Sequence, residues 1–216
     1  DHRDFAAKHK RALILEWGYF DRINKKGNPN VGHWQLSPDH LNNLPIGDFP
    51  PDRFDAVGLG IQERDPVPDG YVLLCGQVPE DAAVLDVDYP AWLKDQWDYY
   101  TARGERVLFR PHPGAVTQPF SSPPELTNRG DLKTALAGAK FVVCYNSNTG
   151  HDALLAGVPV VCDPVAPYAE LSGEACPSVE RRRKYFGRAA YGQWRHSEIV
   201  TGFIETLERM GYGDRI

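Results

Sequence analysis

Methionine occurs once in the 216 residues and cysteine four times. Cys75, Cys144, Cys162 and Cys176 include no CxxC pair, and the first three close apolar runs. They read as buried, reduced thiols of an intracellular protein. No apolar run approaches the roughly 20 residues needed to span a bilayer, and the N-terminus lacks a signal-peptide profile, so the expected location is cytoplasmic. Positive charge is not in excess: 24 Lys and Arg against 29 Asp and Glu leave a net charge of −5. That balance argues against a chain that coats nucleic acid non-specifically, while leaving room for a local basic groove. The HExxH zinc pattern, the Walker-type and GxGxxG glycine loops and the GxSxG elbow are all missing. With them go the usual metalloprotease, nucleoside-triphosphatase, dinucleotide-binding and serine-hydrolase readings. There is no internal repeat and no low-complexity segment. The chain starts at Asp1 rather than Met and reaches a strand-like run by residue 12, so it is expected to begin inside or at the edge of its first domain.

What is present is ordinary in bulk, with 42% hydrophobic and 25% charged residues, and the length suits one large domain or two small ones. The most informative stretch is KFVVCYNSNTGHDALLAGVPVVCDP, residues 140–164. An apolar run stops at Asn146-Ser147-Asn148-Thr149-Gly150, a short helical pattern follows, Gly157 breaks it, and a second apolar run ends on Asp163-Pro164. The pattern predicts strand, polar turn, helix, strand. Its turn sets hydroxyls and backbone N–H groups at a helix N-terminus, which suits an anion such as phosphate.

In chain order, residues 2–11 read as a helix end and residues 12–15 as a buried strand delivering Glu16 to Arg22 at its C-terminal edge, where open α/β sheets collect ligands. Residues 23–69 are rich in Gly, Pro, Asn and Asp, interrupted by stretches such as His33-Trp34-Gln35-Leu36, and read as irregular structure carrying a few short elements. Residues 71–75 form the next strand. Asp88 and Pro90 signal the start of a helix over 91–103, and Gly104 stops it. A strand over 107–109, a short helix over 131–139, the unit at 140–164 and a final helix over 197–210 complete the pattern. The βαβα alternation from Tyr71 predicts an α/β fold with a Rossmann-like parallel sheet and helices on both faces. The expected division is 1–69, a partial lobe, and 70–216, the Rossmann-like lobe.

Arg110-Pro111-His112-Pro113 directly follows a strand. Its prolines stiffen the loop, Arg110 offers a bidentate fork to phosphate, and His112 offers a single donor or a proton. A rigid turn with a surface histidine is the plainer alternative. Ser147 and Thr149 could likewise serve only as helix caps, and Asp152 suits the first helical turn as well as a ribose hydroxyl. Glu16 and Asp21 are the candidate general bases, although Asp21-Arg22 could equally be a local ion pair. Asp86 and Asp88 have DxD spacing but read better as capping acids.

As a set these residues resemble the C-terminal lobe of GT-B-fold glycosyltransferases. FRPHP at 109–113 followed by YNSNTGHDALLAGVPVV at 145–161 is most similar to capsule-polysaccharide and sialyltransferase-like families, which pair an HP motif with a later Ser/Thr motif. The resemblance implies that His112 and Ser147 hold the nucleotide phosphate, with Arg110, Asn146, Asn148 and Thr149 beside them. It also implies substrate-side roles for Gln77 and Asp81, and a ribose role for Asp152. Glu16-Trp17-Gly18 is similar to the acid-x-Gly motif carrying the catalytic base, and Asp21 is the substitute. The wider pattern also resembles uncharacterised glycosyltransferase-like proteins of tailed phages. The resemblance thus implies a metal-independent, inverting hexosyl- or sialyl/Kdo-type glycosyltransferase. It would use a nucleotide-sugar co-substrate, no cofactor, and a glycan or hydroxymethylated DNA base as acceptor, and it admits a homodimer. The N-terminal lobe would be reduced or truncated. The alternatives are a sugar-nucleotide epimerase of the same fold, or a nucleotide- or DNA-binding module using Arg181-Arg182-Arg183-Lys184 with Tyr185 and Phe186.

Overall fold

The computed structural model describes residues 12–22, 32–115, 120 and 131–209. The expected helix end at 2–11 and the close of the last helix at Met210 lie outside the described residues. In chain order the regular elements are β1 (Leu13–Trp17), β2 (His33–Pro38), α1 (Asp52–Val57), β3 (Tyr71–Cys75), α2 (Tyr89–Ala102), β4 (Val107–Arg110), α3 (Leu132–Ala137), β5 (Ala139–Cys144), α4 (Thr149–Leu155), β6 (Val160–Cys162), α5 (Val179–Ala190), β7 (Gln193–Arg195) and α6 (Ile199–Arg209). They form two compact units: Ile61–Val179, and Asp1–Gly60 together with Glu180–Ile216.

The Ile61–Val179 unit is the parallel α/β sheet that the alternation predicts. Its four strands run in the order β4-β3-β5-β6, all parallel. The chain goes from β3 to β4 on one side and then crosses back to β5 on the other, so the order reverses between β3 and β5. Right-handed crossovers in opposite directions place helices on opposite faces. Side-chain alternation agrees. Val72, Leu74, Val107, Phe109, Phe141 and Val143 share one core with Tyr89, Leu93 and Tyr100 of α2. Leu73, Cys75, Val142 and Cys144 alternate to the other face, where α3 and α4 pack on β5. Asp88 caps α2 as its position suggests, accepting the Ala91 N–H at 3.1 Å with Pro90 in the first turn. Asp131 caps α3 in the same way through Lys133 N–H. Arg64 closes the other end of α3, donating to Leu136 O and Ala139 O, each at 2.7 Å.

The other unit differs from expectation. β1 does not belong to an open parallel sheet; it pairs antiparallel with β2, which pairs antiparallel with β7. Glu16 therefore lies within an edge strand opposite Gln35, not beyond a strand's C-terminal end. β2 and α1 are short elements within the largely irregular stretch, β2 covering His33-Trp34-Gln35-Leu36, and β7 comes from a QWR segment too short to show a period. The last residues of the chain thus group with the first sixty, a course different from the 1–69 and 70–216 division.

Residues directly opposite in the register share a face. One face carries the row Trp17–Trp34–Trp194, the other the row Glu16–Gln35–Gln193. Phe20, Phe54 and Phe186 make the aromatic core of this unit, with ring centroids 5.2–5.6 Å apart. α6 begins after a 3-10 turn at His196–Glu198, in which Glu198 closes the end by accepting Arg195 N–H. The helix is buried through Gly202 and Thr206, while Phe203 and Ile204 stay exposed. The reason is steric: a Cβ on Gly202 would lie 2.3 Å from the Trp194 ring.

Gly202→Ala should therefore destabilise this unit by about 1–3 kcal/mol, the usual cost of overpacking, despite the better helix propensity of Ala. Chemical denaturation followed by tryptophan fluorescence would measure it, and unchanged stability would refute the packing argument.

Candidate functional site

The reversal of strand order between β3 and β5 creates a crevice at the C-terminal strand ends, the usual ligand position in open α/β sheets. Three loops meet this edge. The first leaves β3 at Gly76-Gln77. Gly76 donates its N–H to Arg110 O at 2.8 Å, and a Cβ there would sit 2.8 Å from the Phe109 ring. Glycine is thus needed for β3 to end hard against β4.

The second loop is Pro111–Gly114 after Arg110, the last residue of β4. The exposed His112 ring accepts the Gly114 N–H at Nδ1, 3.0 Å away, so the proton of the neutral ring sits on Nε2. Arg110 alternates to the face opposite Phe109, and its charge acts on Cys75 together with that of Asp152. Burial pushes the Cys75 thiol up to about 12; Arg110 opposes that rise and Asp152 adds to it. Arg110 stands opposite Cys75, the last residue of β3, in the parallel register.

The third loop leaves β5 at Tyr145-Asn146. The Gln77 side-chain amide spans the reversal point. Its Nε2 donates to Asn146 Oδ1 at 2.8 Å and its Oε1 accepts the Asn146 N–H at 3.0 Å. Asn146 Nδ2 donates in turn to Ala83 O, and Gln77 N–H donates to Tyr89 OH at 2.8 Å. Gln77 and Asn146, candidate substrate ligands by resemblance, are here the tie between two loops. Asp81 is exposed and accepts the Ala83 N–H at 2.9 Å, a local turn contact. Ser147 Oγ accepts the Thr149 N–H at 3.2 Å and donates to Thr149 Oγ1 at 3.3 Å. Asn148 stands at the N-cap position of α4 without a side-chain capping bond. Ser147 therefore caps the helix and gives its proton to Thr149 Oγ1, so it is the Thr149 hydroxyl that is left to donate to an anion.

Arg110, Asp152, Gln77, Asn146, Ser147 and Thr149 thus gather around the ends of β3, β4 and β5. Among the described residues no group of three or more His, Cys, Asp and Glu side chains is arranged to hold a metal ion. No helix is long and apolar enough to cross a membrane, again among the described residues.

Glu16 and Asp21 belong to the other unit. Glu16 Oε1 accepts the Trp17 N–H at 2.8 Å. Asp21 has a left-handed backbone with φ of 44°, and its Oδ2 lies 3.1 Å from His33 Nδ1. His33 N–H also donates to Asp21 O at 2.9 Å. His33, buried and without a sequence signal, therefore holds the turn that carries Asp21. Gln193 holds the loop after β1. Its Oε1 accepts the N–H groups of Tyr19 and Phe20, and its Nε2 donates to Phe20 O. Gln35 completes the clamp by donating to Trp17 O at 3.0 Å. The loop after β1 is thus fixed by two amides that only the antiparallel register brings to it.

The basic-aromatic patch at 181–186 is corrected. Tyr185 and Phe186 are core residues and Arg182 is buried; Arg183 pairs with Asp55 at 2.6 Å and Lys184 with Asp48 at 2.8 Å. Helical spacing turns Tyr185 and Phe186 inward, so no aromatic platform for bases forms there.

No protein-family description matches the sequence, and no curated protein matches it. Solved structures do. KpsC from Thermosulfurimonas dismutans, described as a beta Kdo 2,4 transferase, matches with a TM-score of 0.55 at 14% identity, over 88% of this chain and 75% of that chain. The beta Kdo 2,7 transferase of the same organism matches with a TM-score of 0.50 at 14% identity, over 90% of this chain and 77% of that one. The chain shares the fold of these two structures. At this identity the likeness concerns the backbone, and the chemistry must be argued from the residues.

The Asp21–His33 pair makes a pH prediction. Burial, the largest influence, holds the His33 imidazole below its ordinary value of about 6.5, while Asp21 acts in the opposite direction. The unfolded chain therefore takes up this proton at a higher pH than the folded one. Stability complete above about pH 6.5 declines as pH falls toward the folded-state value. Denaturation at several pH values should show a shallower acid-side decline in His33→Gln than in the parent. Equal slopes would mean that His33 titrates normally.

Proposed function

We propose that the protein transfers a sugar of the Kdo or hexose type from a nucleotide-linked donor to an acceptor hydroxyl, a glycan hydroxyl being the acceptor. The observation that carries this reading is the approach of Arg110 and of the Ser147–Thr149 turn to the strand-order reversal of a sheet with a glycosyltransferase-like fold. One loop brings a guanidinium and the other brings hydroxyls at a helix start, the donor set that an anionic phosphate requires.

In this reading the bond between the anomeric carbon and the donor phosphate oxygen breaks, and its electron pair goes to that oxygen. Arg110, His112 through Nε2–H, and Thr149, which Ser147 orients, stabilise the developing negative charge without a metal ion. The acceptor oxygen forms the new bond to the anomeric carbon, and its proton passes to Glu16 as general base. One such displacement inverts the anomeric configuration. Glu16 is preferred to Asp21 on the acid-x-Gly resemblance alone, since both carboxylates accept a bond, Glu16 from the Trp17 N–H and Asp21 from His33. Asp152 serves the ribose. Nothing observed favours a DNA base as acceptor, since Tyr185 and Phe186 lie in the core.

Isothermal titration against UDP, CMP, GDP and dTDP should find one tight nucleotide. Arg110→Ala and Ser147→Ala should each weaken it about 10- to 100-fold, the range for hydrogen bonds to a charged group. Glu16→Gln should bind it normally and transfer no sugar. Full turnover by Glu16→Gln would remove the base assignment, and donor consumption without any acceptor would point instead to an epimerase.

A further inference from the structure

The register of the β1-β2-β7 sheet sets three tryptophans in a row on one face, Trp17 opposite Trp34 and Trp34 opposite Trp194. The row is covered unequally. Gly202 of α6 packs against the Trp194 ring, which is 2% exposed, while Trp17 on the edge strand β1 is 48% exposed. Leu15, two residues earlier and so on the same face, is 52% exposed. Folding thus leaves an open indole beside an open aliphatic side chain, and apolar surface of this kind marks a binding site.

The strand edge indicates what binds there. Gly18 N–H donates to His33 O at 2.9 Å, toward β2. Successive N–H groups along a strand point to opposite sides, so Trp17 N–H faces outward from the sheet edge. Glu16 Oε1 accepts it at 2.8 Å. The carboxylate therefore stands at the outer edge beside the Trp17 peptide, although Glu16 lies opposite Gln35 in the register. A second copy of the chain, adding as a strand, would have to displace that carboxylate to reach the Trp17 N–H. An apolar protein surface seated on Trp17 and Leu15 would take the Glu16 charge out of water without a partner. A pyranose ring suits both features. Its C–H groups carry partial positive charge and pack on the negative face of an indole, while its hydroxyls donate to a carboxylate.

We propose that Trp17 is the floor of an acceptor subsite, its indole stacking on the C–H face of one pyranose while Glu16 accepts a bond from a hydroxyl of that ring. The inference deepens the acceptor half of the reading above and rests on it. It gives the residue between the acid and the glycine of Glu16-Trp17-Gly18 the task of holding the acceptor. It also makes a sugar ring, rather than an open-chain alcohol, the unit that presents the reacting hydroxyl.

The test follows the indole N–H resonances of the isotope-labelled protein during titration with the methyl glycosides of glucose, galactose and Kdo. The Trp17 resonance is identified by its loss in Trp17→Phe. At least one glycoside should shift it to saturation, and saturation-transfer measurements should show that Trp17→Ala weakens that glycoside about tenfold while nucleotide affinity stays unchanged. The proposal is overturned if no glycoside shifts the resonance, or if affinity is unchanged in Trp17→Ala. It is overturned equally by a shift from hydroxymethylated deoxycytidine alone, or by a dimer that Trp17→Ala dissociates. Transfer by Glu16→Gln separates the two readings. If a glycoside binds at Trp17 and Glu16→Gln still transfers sugar, the base assignment falls and the subsite stands; if the glycosides fail and Glu16→Gln transfers nothing, only the subsite falls.

Discussion

The parallel pairing of β3 with β5 is the constraint on which the Ile61–Val179 unit depends. Because β4 takes the other flank of β3, the loops after β3 and β5 diverge at one point and leave a crevice between them. The same pairing puts Leu74 beside Val143 and buries both faces of the central strands. It also brings Gln77 within reach of Asn146, 69 residues away. Were β5 to pair elsewhere, the loops after β3 and β5 would not share an edge.

Loop geometry in both units is set by side-chain amides. Gln77 satisfies the backbone and side chain of Asn146, and Gln35 with Gln193 satisfies the backbone of residues 17–20. A backbone N–H or C=O left unpaired in such a place costs about 1–3 kcal/mol, so each amide holds its loop in one conformation more firmly than surface contacts would. The buried Tyr168 hydroxyl donates to Ser147 O in the same manner. Each of them fixes one conformation of its loop through bonds to backbone atoms.

Legibility in the sequence followed the range of the signal. The strands from β3 to β6 were readable because each is an apolar run ended by Gly, Pro or a small polar residue, and α2 because Asp88 and Pro90 mark its start. The loops after β4 and β5 were readable because they lie immediately after those runs. β2 and β7 were not, since half of β2 is polar and β7 has three residues; His33, Gln35, Ser37 and Gln193 are buried only because they bond to one another and to the backbone. The strand at 12–15 was found in roughly the right place but set in the wrong kind of sheet, because a short apolar run carries no information about its partner.

What the sequence by itself determined was the α/β class, the parallel strands and capped helices from Tyr71 to Cys162, and the two polar loops that follow β4 and β5. These are local properties, written in periodicity and in the residues that start and stop elements. Only the tertiary structure decided that the chain's last strand joins its second, that Tyr185 and Phe186 are core rather than surface, and that Trp17, Trp34 and Trp194 stand in one row. Each of these depends on contacts between residues far apart in the chain. Which partner satisfies a buried polar group, or covers an aromatic ring, is settled by the packing of the whole unit.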